Sequence, residues 1–415
     1  MQFFNNPIFH YHNHAFTKLL TYRIQIVLAY QIMAVVVGWH MYELTHDTLA
    51  LGLIGLAEVV PYMCSALFAG YAVDHYSRRL FGVLAAIMLC ANAVTLAAVA
   101  AGWIGSDALF WIYGSIAFNG LARAFIAPTY SALFGLILPR EEYARASGVG
   151  SSVFQTGLVI GPALGGLLVG FASKTVAYSV ATLLCLGATA ALLSLKIKEP
   201  PTTENPPILR SIGEGLRFVF SNQIIFGAQA LDMFAVLFGG AVAMLPVFIH
   251  DIYLAGPEAL GILRAAPAVG AIITGIYFAQ HPIKKNTGWI LLSAIAGFGI
   301  SIICYALNPY FWLGFFLLLL SGMFDGISVV IRTTIMQLAT PDAMRGRVSA
   351  INGIFIGSSN ELGAFESGIA AEWMGLIPSV VFGGMMTLGV VAITAKLAPR
   401  LTNLNLKDLE LKQPN

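Results

Sequence analysis

Gly70-Tyr71-Ala72-Val73-Asp74-His75-Tyr76-Ser77-Arg78-Arg79 is a charged hairpin between two apolar runs, each long enough to cross a bilayer. It reads as a gate and not as a catalytic centre. Gly70 is expected to end one helix where no side chain fits, Asp74 to accept hydrogen bonds from helix-terminal N–H groups, and Arg78 and Arg79 to hold the loop at an anionic membrane face. Outward from this hairpin the same arrangement recurs. A spanning helix takes about 20 mostly apolar residues, and twelve runs qualify, at roughly 18–39, 49–71, 80–102, 109–134, 147–171, 176–195, 222–249, 259–279, 288–307, 310–333, 348–372 and 377–395. The expected fold class is therefore an all-α integral membrane protein with twelve transmembrane helices.

Composition agrees, because 58% hydrophobic and 10% charged residues leave too little charge for a soluble domain of this length. When the loops are numbered alternately inside and outside, eighteen of the 22 Lys and Arg fall on one side. Only Lys174 falls on the other, while Arg123, Arg264 and Arg332 lie within predicted helices. The positive-inside rule then supports this helix number and places both termini in the cytoplasm. The net charge of +2 is spread over these loops and forms no patch for nucleic acid. Met1-Gln2-Phe3-Phe4-Asn5-Asn6 lacks the basic start of a secretory signal.

Cys64, Cys90, Cys185 and Cys304 sit inside predicted spans and form no C-x-x-C pair, so they read as small apolar residues. His10-x-His12-x-His14 has no acidic or thiol partner nearby, so neither a metal nor any other cofactor is expected. No G-x-x-x-x-G-K-[ST] phosphate loop exists, and no nucleophile or paired-carboxylate constellation lies outside the spans. That excludes a primary pump and argues against an enzyme, with no catalytic residue to assign.

The polar, proline-rich run beginning at Lys196 divides the chain into an N-terminal six-helix bundle (1–195), a cytoplasmic linker (196–221) and a C-terminal bundle with its tail (222–415). Within the linker, Ile208, Ile212, Leu216 and Val219 are spaced for a short amphipathic helix on the membrane surface. The halves echo each other: Leu51-Gly52-Leu53-Ile54 opens helix two and Leu260-Gly261-Ile262-Leu263 opens helix eight. Parallel six-helix repeats suit two bundles rocking about a midplane site.

Helix five carries Gly157-Leu158-Val159-Ile160-Gly161-Pro162-Ala163-Leu164-Gly165-Gly166. Small residues at 157, 161 and 165 share one face, which admits a neighbouring helix backbone to backbone, and Pro162 bends the span. Two motifs thus carry a resemblance to the major facilitator superfamily. The G-x-x-x-D-x-x-x-R-R hairpin resembles that family's loop between helices two and three, with His75 and Ser77 as departures. G-x-x-x-G-P-x-x-G-G resembles the helix-five motif of its proton-antiporting exporters. Further stretches, Leu51-Gly52-Leu53-Ile54-Gly55-Leu56-Ala57-Glu58-Val59-Val60-Pro61 and Ser359-Asn360-Glu361-Leu362-Gly363-Ala364-Phe365-Glu366-Ser367-Gly368 among them, look like the enterobactin-exporter-like and macrolide-efflux-like group. The resemblance implies a fold of two pseudo-symmetric six-helix bundles. It also implies a secondary transporter that exchanges protons for a siderophore-like or drug-like small molecule and acts as a monomer in the lipid bilayer. Uptake of a nutrient or iron chelate, and a receptor or scaffold that moves nothing, stay open beside it.

A charge at a helix centre costs a few kcal/mol, so each one needs a partner, a watered cavity or a proton. Glu58, Arg123, Asp232, Asp325, Glu361 and Glu366 fall there and are the proton-coupling candidates, with Asp232 and Glu361 preferred. A helix-four arginine is implicated in coupling in the superfamily, and for Arg123 an ion pair with Glu58 is the competing reading. Arg332, two turns from Asp325, reads as structural, serving helix–loop packing.

Overall fold

The computed structural model describes residues 7–104, 107–139, 142–197, 208–281, 283, 285–341 and 344–406; side chains at a few further helix positions, Asp74 and His75 among them, fall outside that description. Among the described residues every regular element is helical. Lipid offers backbone groups no hydrogen-bond partner, so a spanning segment must satisfy its own N–H and C=O groups, and a helix does so within one segment.

The first six long helices are α1 (Pro7–Thr45), α2 (Thr48–His75), α3 (Arg78–Ala100), α4 (Ala108–Ile137), α5 (Tyr143–Phe171) and α6 (Lys174–Leu193). A shorter α7 (Ile208–Ser221) follows. Then come α8 (Gln223–Phe238), the three-residue α9 (Leu245–Val247), α10 (Pro257–Gln280), α11 (Thr287–Ala306), α12 (Phe311–Ala339), α13 (Arg345–Met374), α14 (Leu376–Leu397) and α15 (Pro399–Thr402). Among the described residues, eleven helical segments are long and apolar enough to cross a membrane. The twelfth expected span is α13, whose 30 residues reach far enough but whose apolar content is diluted by Asn360, Glu361, Glu366 and Glu372.

Two compact units emerge, one formed by Met1–Met41 and Ala57–Asn205, the other by Tyr42–Leu56 and Pro206–Asn415. In the first, α3 packs between α4 and α6. Its buried face is Ala85, Ala86, Leu89, Ala93 and Leu96, while Leu84, Ile87 and Val94 point outward. Alanines alternate with leucines inside while further large apolar residues face outward, as expected where lipid is the solvent. Ser77 caps the start of α3 by accepting from the Leu80 N–H, and Ser173 does the same for α6 from Val176.

In the second unit α12 lies against α10 and α11. Gly270 and Gly322 let α10 and α12 meet backbone to backbone, since a Cβ on Gly270 would run into the Leu319 carbonyl and one on Gly322 into Pro267. Leu231, Leu291, Ile295, Ile331, Ile335 and Leu401 form one buried cluster there. Within the same unit, α7 buries Val219 against Ile225, Val348 and Ile351.

One expectation needs correction. The run 222–249 is not a continuous helix, because α8 stops at Phe238 and gives way to a 3-10 turn (Gly240–Met244), α9 and a π-turn (Phe248–Ile252). The break falls where α13 comes close: a Cβ on Gly240 would stand 2.6 Å from the Gly363 carbonyl oxygen. Gly240 permits that approach, Gly239 leaves room for the Phe298 ring of α11, and the weak helix propensity of both makes the interruption there the least costly.

Candidate functional site

In the first unit the site is built on a glycine. A Cβ on Gly120 would collide with the Glu58 carbonyl, so α2 and α4 touch through their backbones at that level. The contact sets the Glu58 carboxylate beside the neighbouring positions of α4. Arg123 Nη1 donates to Glu58 Oε1 at 3.0 Å, Asn119 Nδ2 at 3.3 Å, and the Tyr30 hydroxyl of α1 at 3.0 Å. The Arg123 guanidinium also lies 5.2 Å from the ring centres of both Tyr30 and Tyr62. Three donors on one carboxylate oxygen, in a side chain only 9% exposed, replace the hydration that burial removes.

The second unit has its own pair. Asp232 on α8 and Arg332 on α12 meet with Oδ2 and Nη1 2.6 Å apart, their side chains 7% and 9% exposed. The Arg332 Nε–H donates to Ser328 Oγ one turn back at 3.1 Å, which fixes the guanidinium plane. Arg332 therefore ties two spanning helices together and does not serve a helix–loop boundary. Asp325 is half-buried two turns earlier on α12, and Glu361 and Glu366 are half-buried on α13. In this unit the start of α2 crosses α13 closely: a Cβ on Gly52 would stand 2.9 Å from Gly368 Cα, and one on Gly55 would overlap the Glu361 carbonyl.

The helix-five motif faces α1. A Cβ on Gly157 would lie 2.5 Å from Val27 Cγ1, one on Gly161 2.5 Å from Gln31 Cβ, and one on Gly165 3.2 Å from Ile32 Cα. Pro162 and Gly166 are buried in the same helix. At the hairpin the reading of Gly70 is corrected. It does not end a helix, since α2 runs on to His75, and a Cβ at Gly70 would meet nothing within 4 Å among the described residues. Arg79 donates to the Leu195 carbonyl at 2.9 Å, just past the end of α6, where a cation is favoured by the helix dipole. Arg78 starts α3, and the Asp74 side chain lies outside the described residues, as do those of His10 and His12.

Asn119, Tyr30 and Ser328 went unpredicted. Neutral groups in apolar runs carry no spacing signal, although Gly120, three residues before Arg123, marks the close approach that assembles the site.

The fold is that of a helical membrane protein with paired charges inside its spans. A family model described as Major Facilitator Superfamily matches residues 23–364. The chain belongs to the major facilitator superfamily.

Like other members it is a membrane transporter and not an enzyme, with a twelve-helix fold. It is 25% identical over 389 residues to the enterobactin exporter EntS of Citrobacter koseri, covering 90% of this chain and 91% of that one. The EntS protein of Escherichia coli O1:K1 / APEC is 24% identical over 394 residues, covering 91% and 92%. Among solved structures, a bacterial homologue of the human lysosomal transporter Spinster superposes with a TM-score of 0.70 at 15% identity, over 98% of this chain and 99% of the other. A D-xylose–proton symporter superposes with a TM-score of 0.72 at 12% identity, over 96% and 100%. At those identities the structural matches establish the fold alone.

Proposed function

We propose that the protein is a proton-coupled exporter of the bacterial inner membrane. It moves a siderophore-like or drug-like small organic molecule outward against proton entry. It works as a monomer by alternating access between its two halves, with both termini cytoplasmic. One observation carries the reading: Glu58–Arg123 and Asp232–Arg332 are carboxylate–guanidinium contacts of 3.0 Å and 2.6 Å inside membrane spans, one in each unit. A charge held there is costly, and a carboxylate that can trade its arginine for a proton gives the equilibrium a handle on the proton gradient. Asp325, Glu361 and Glu366 are further carboxylates on the same route, and the hairpin of Gly70, Asp74, Arg78 and Arg79 acts as the gate. Export as the direction is supported by the exporter relatives and by the glycine face of α5.

Membrane vesicles of both orientations test it. With an acidic lumen, everted vesicles should accumulate a fluorescent organic cargo, and a protonophore should abolish the accumulation. Accumulation in right-side-out vesicles driven by an acidic exterior would mean uptake, and no flux in either would mean a receptor.

A further inference from the structure

Asn119 is 8% exposed, yet only half of its amide is used. Its Nδ2–H donates to Glu58 Oε1 at 3.3 Å, while its Oδ1 is sealed from solvent and has no hydrogen-bond partner. The orientation follows from charge. A carboxylate paired with Arg123 is ionised and can only accept, so the amide turns its N–H towards it and leaves its own carbonyl oxygen without a donor.

A buried acceptor left unpaired is costly. This one is closed to any molecule the size of water, so no ligand relieves it. A proton, which needs no room, can do so. The placement of the two groups is set by backbone: Gly120, next in sequence, brings α4 against the Glu58 carbonyl, so Asn119 and Glu58 stay opposed whichever way their end groups turn.

We propose that Asn119 is a positioning residue for the coupling proton, holding protonated Glu58 in a cyclic acid–amide pair. The proton adds to Glu58 Oε2 and forms an O–H bond, with no electron transfer and no other covalent bond made or broken. Oε2–H donates to Asn119 Oδ1, and Asn119 Nδ2–H goes on donating to Oε1. The amide thus serves both charge states, giving one hydrogen bond to the anion and making two with the acid. The charged and titratable side chains placed around the carboxyl are Arg123 from α4, with Tyr30 from α1 and Tyr62 from α2 against its guanidinium. Protonation removes the charge that holds Arg123. The two ring faces, 5.2 Å away, keep a favourable surface for the cation, and the Tyr30 hydroxyl still has Oε1 to donate to. The proposal rests on the reading of Glu58 as a proton-coupling carboxylate.

Infrared difference spectroscopy of the full-length protein in lipid, with the buffer switched from alkaline to acid, tests it. Wild type should show a protonated-carboxyl C=O band that is absent in Glu58→Gln. In protein carrying isotope-labelled asparagine, an asparagine C=O band should move to lower wavenumber with the same pH midpoint, and that movement should also be absent in Glu58→Gln. This measurement leaves Asn119 unaltered, so it holds whether or not a variant there folds. Asn119→Leu, similar in size but with neither donor nor acceptor, should move the Glu58 band to higher wavenumber, because lost hydrogen bonds stiffen the carbonyl. A Glu58 band unmoved in Asn119→Leu, or an asparagine carbonyl that stays fixed while Glu58 titrates, would overturn the proposal and leave Glu58 standing as a coupling carboxylate. Absence of any Glu58 band would overturn both.

Discussion

Asp232 and Arg332 show how a charge is tolerated where lipid surrounds the fold: neither is stable there alone, and their 2.6 Å contact satisfies both. Removing one partner leaves the other buried and uncompensated. Arg332→Gln should lower unfolding stability by roughly 3 kcal/mol, read by denaturant titration in mixed micelles. The double variant Asp232→Asn with Arg332→Gln should recover most of that loss, since it leaves no uncompensated buried charge. The charges themselves were legible in the sequence as ionisable residues in apolar runs. Their partners were not, because Asp232 and Arg332 are 100 positions apart and the sequence shows only that Asp325 is near Arg332 along one helix. Glu58 and Arg123 were matched from the sequence as one of two readings, and Gly120 explains physically why they meet.

At the scale of the helix, glycines decide which faces touch. Gly157 and Gly70 make opposite predictions. Gly157→Val places branched carbons where Val27 of α1 already sits, so α5 must move away, at a cost of about 1–3 kcal/mol and with loss of transport. Gly70→Ala has open space within α2 and should be neutral or stabilise by up to about 1 kcal/mol. The same micelle titration reads both, and a large loss from Gly70→Ala would restore the crowded helix end that its position in the hairpin first implied. Spacing made the α5 face readable, because a period of four is visible in one dimension. The break after Phe238 was not readable: Gly239 and Gly240 stand in an uninterrupted apolar run, and the element that packs closely against the break is α13, more than a hundred residues away. Hydropathy also understated α13, whose carboxylates dilute its apolar content.

Across the whole molecule, the asymmetry of Lys and Arg sets an orientation that labelling can check. In a background without native cysteines, Ser77→Cys and Thr203→Cys should be shielded from impermeant thiol reagents in intact cells, whereas Asp107→Cys should react. Labelling at position 77 from outside would invert the topology. The twelve-helix fold was legible because lipid imposes length and apolarity on every span. Coupling was not, because it depends on which buried groups trade partners during the cycle. Gradient-driven flux against downhill exchange in proteoliposomes is the most direct test of it. The folded double variant Asp232→Asn with Arg332→Gln, and separately Glu361→Gln, should lose export driven by an imposed pH gradient while keeping downhill cargo exchange near the wild-type rate. Full gradient-driven export by both, and by the two combined, would contradict proton coupling through these carboxylates.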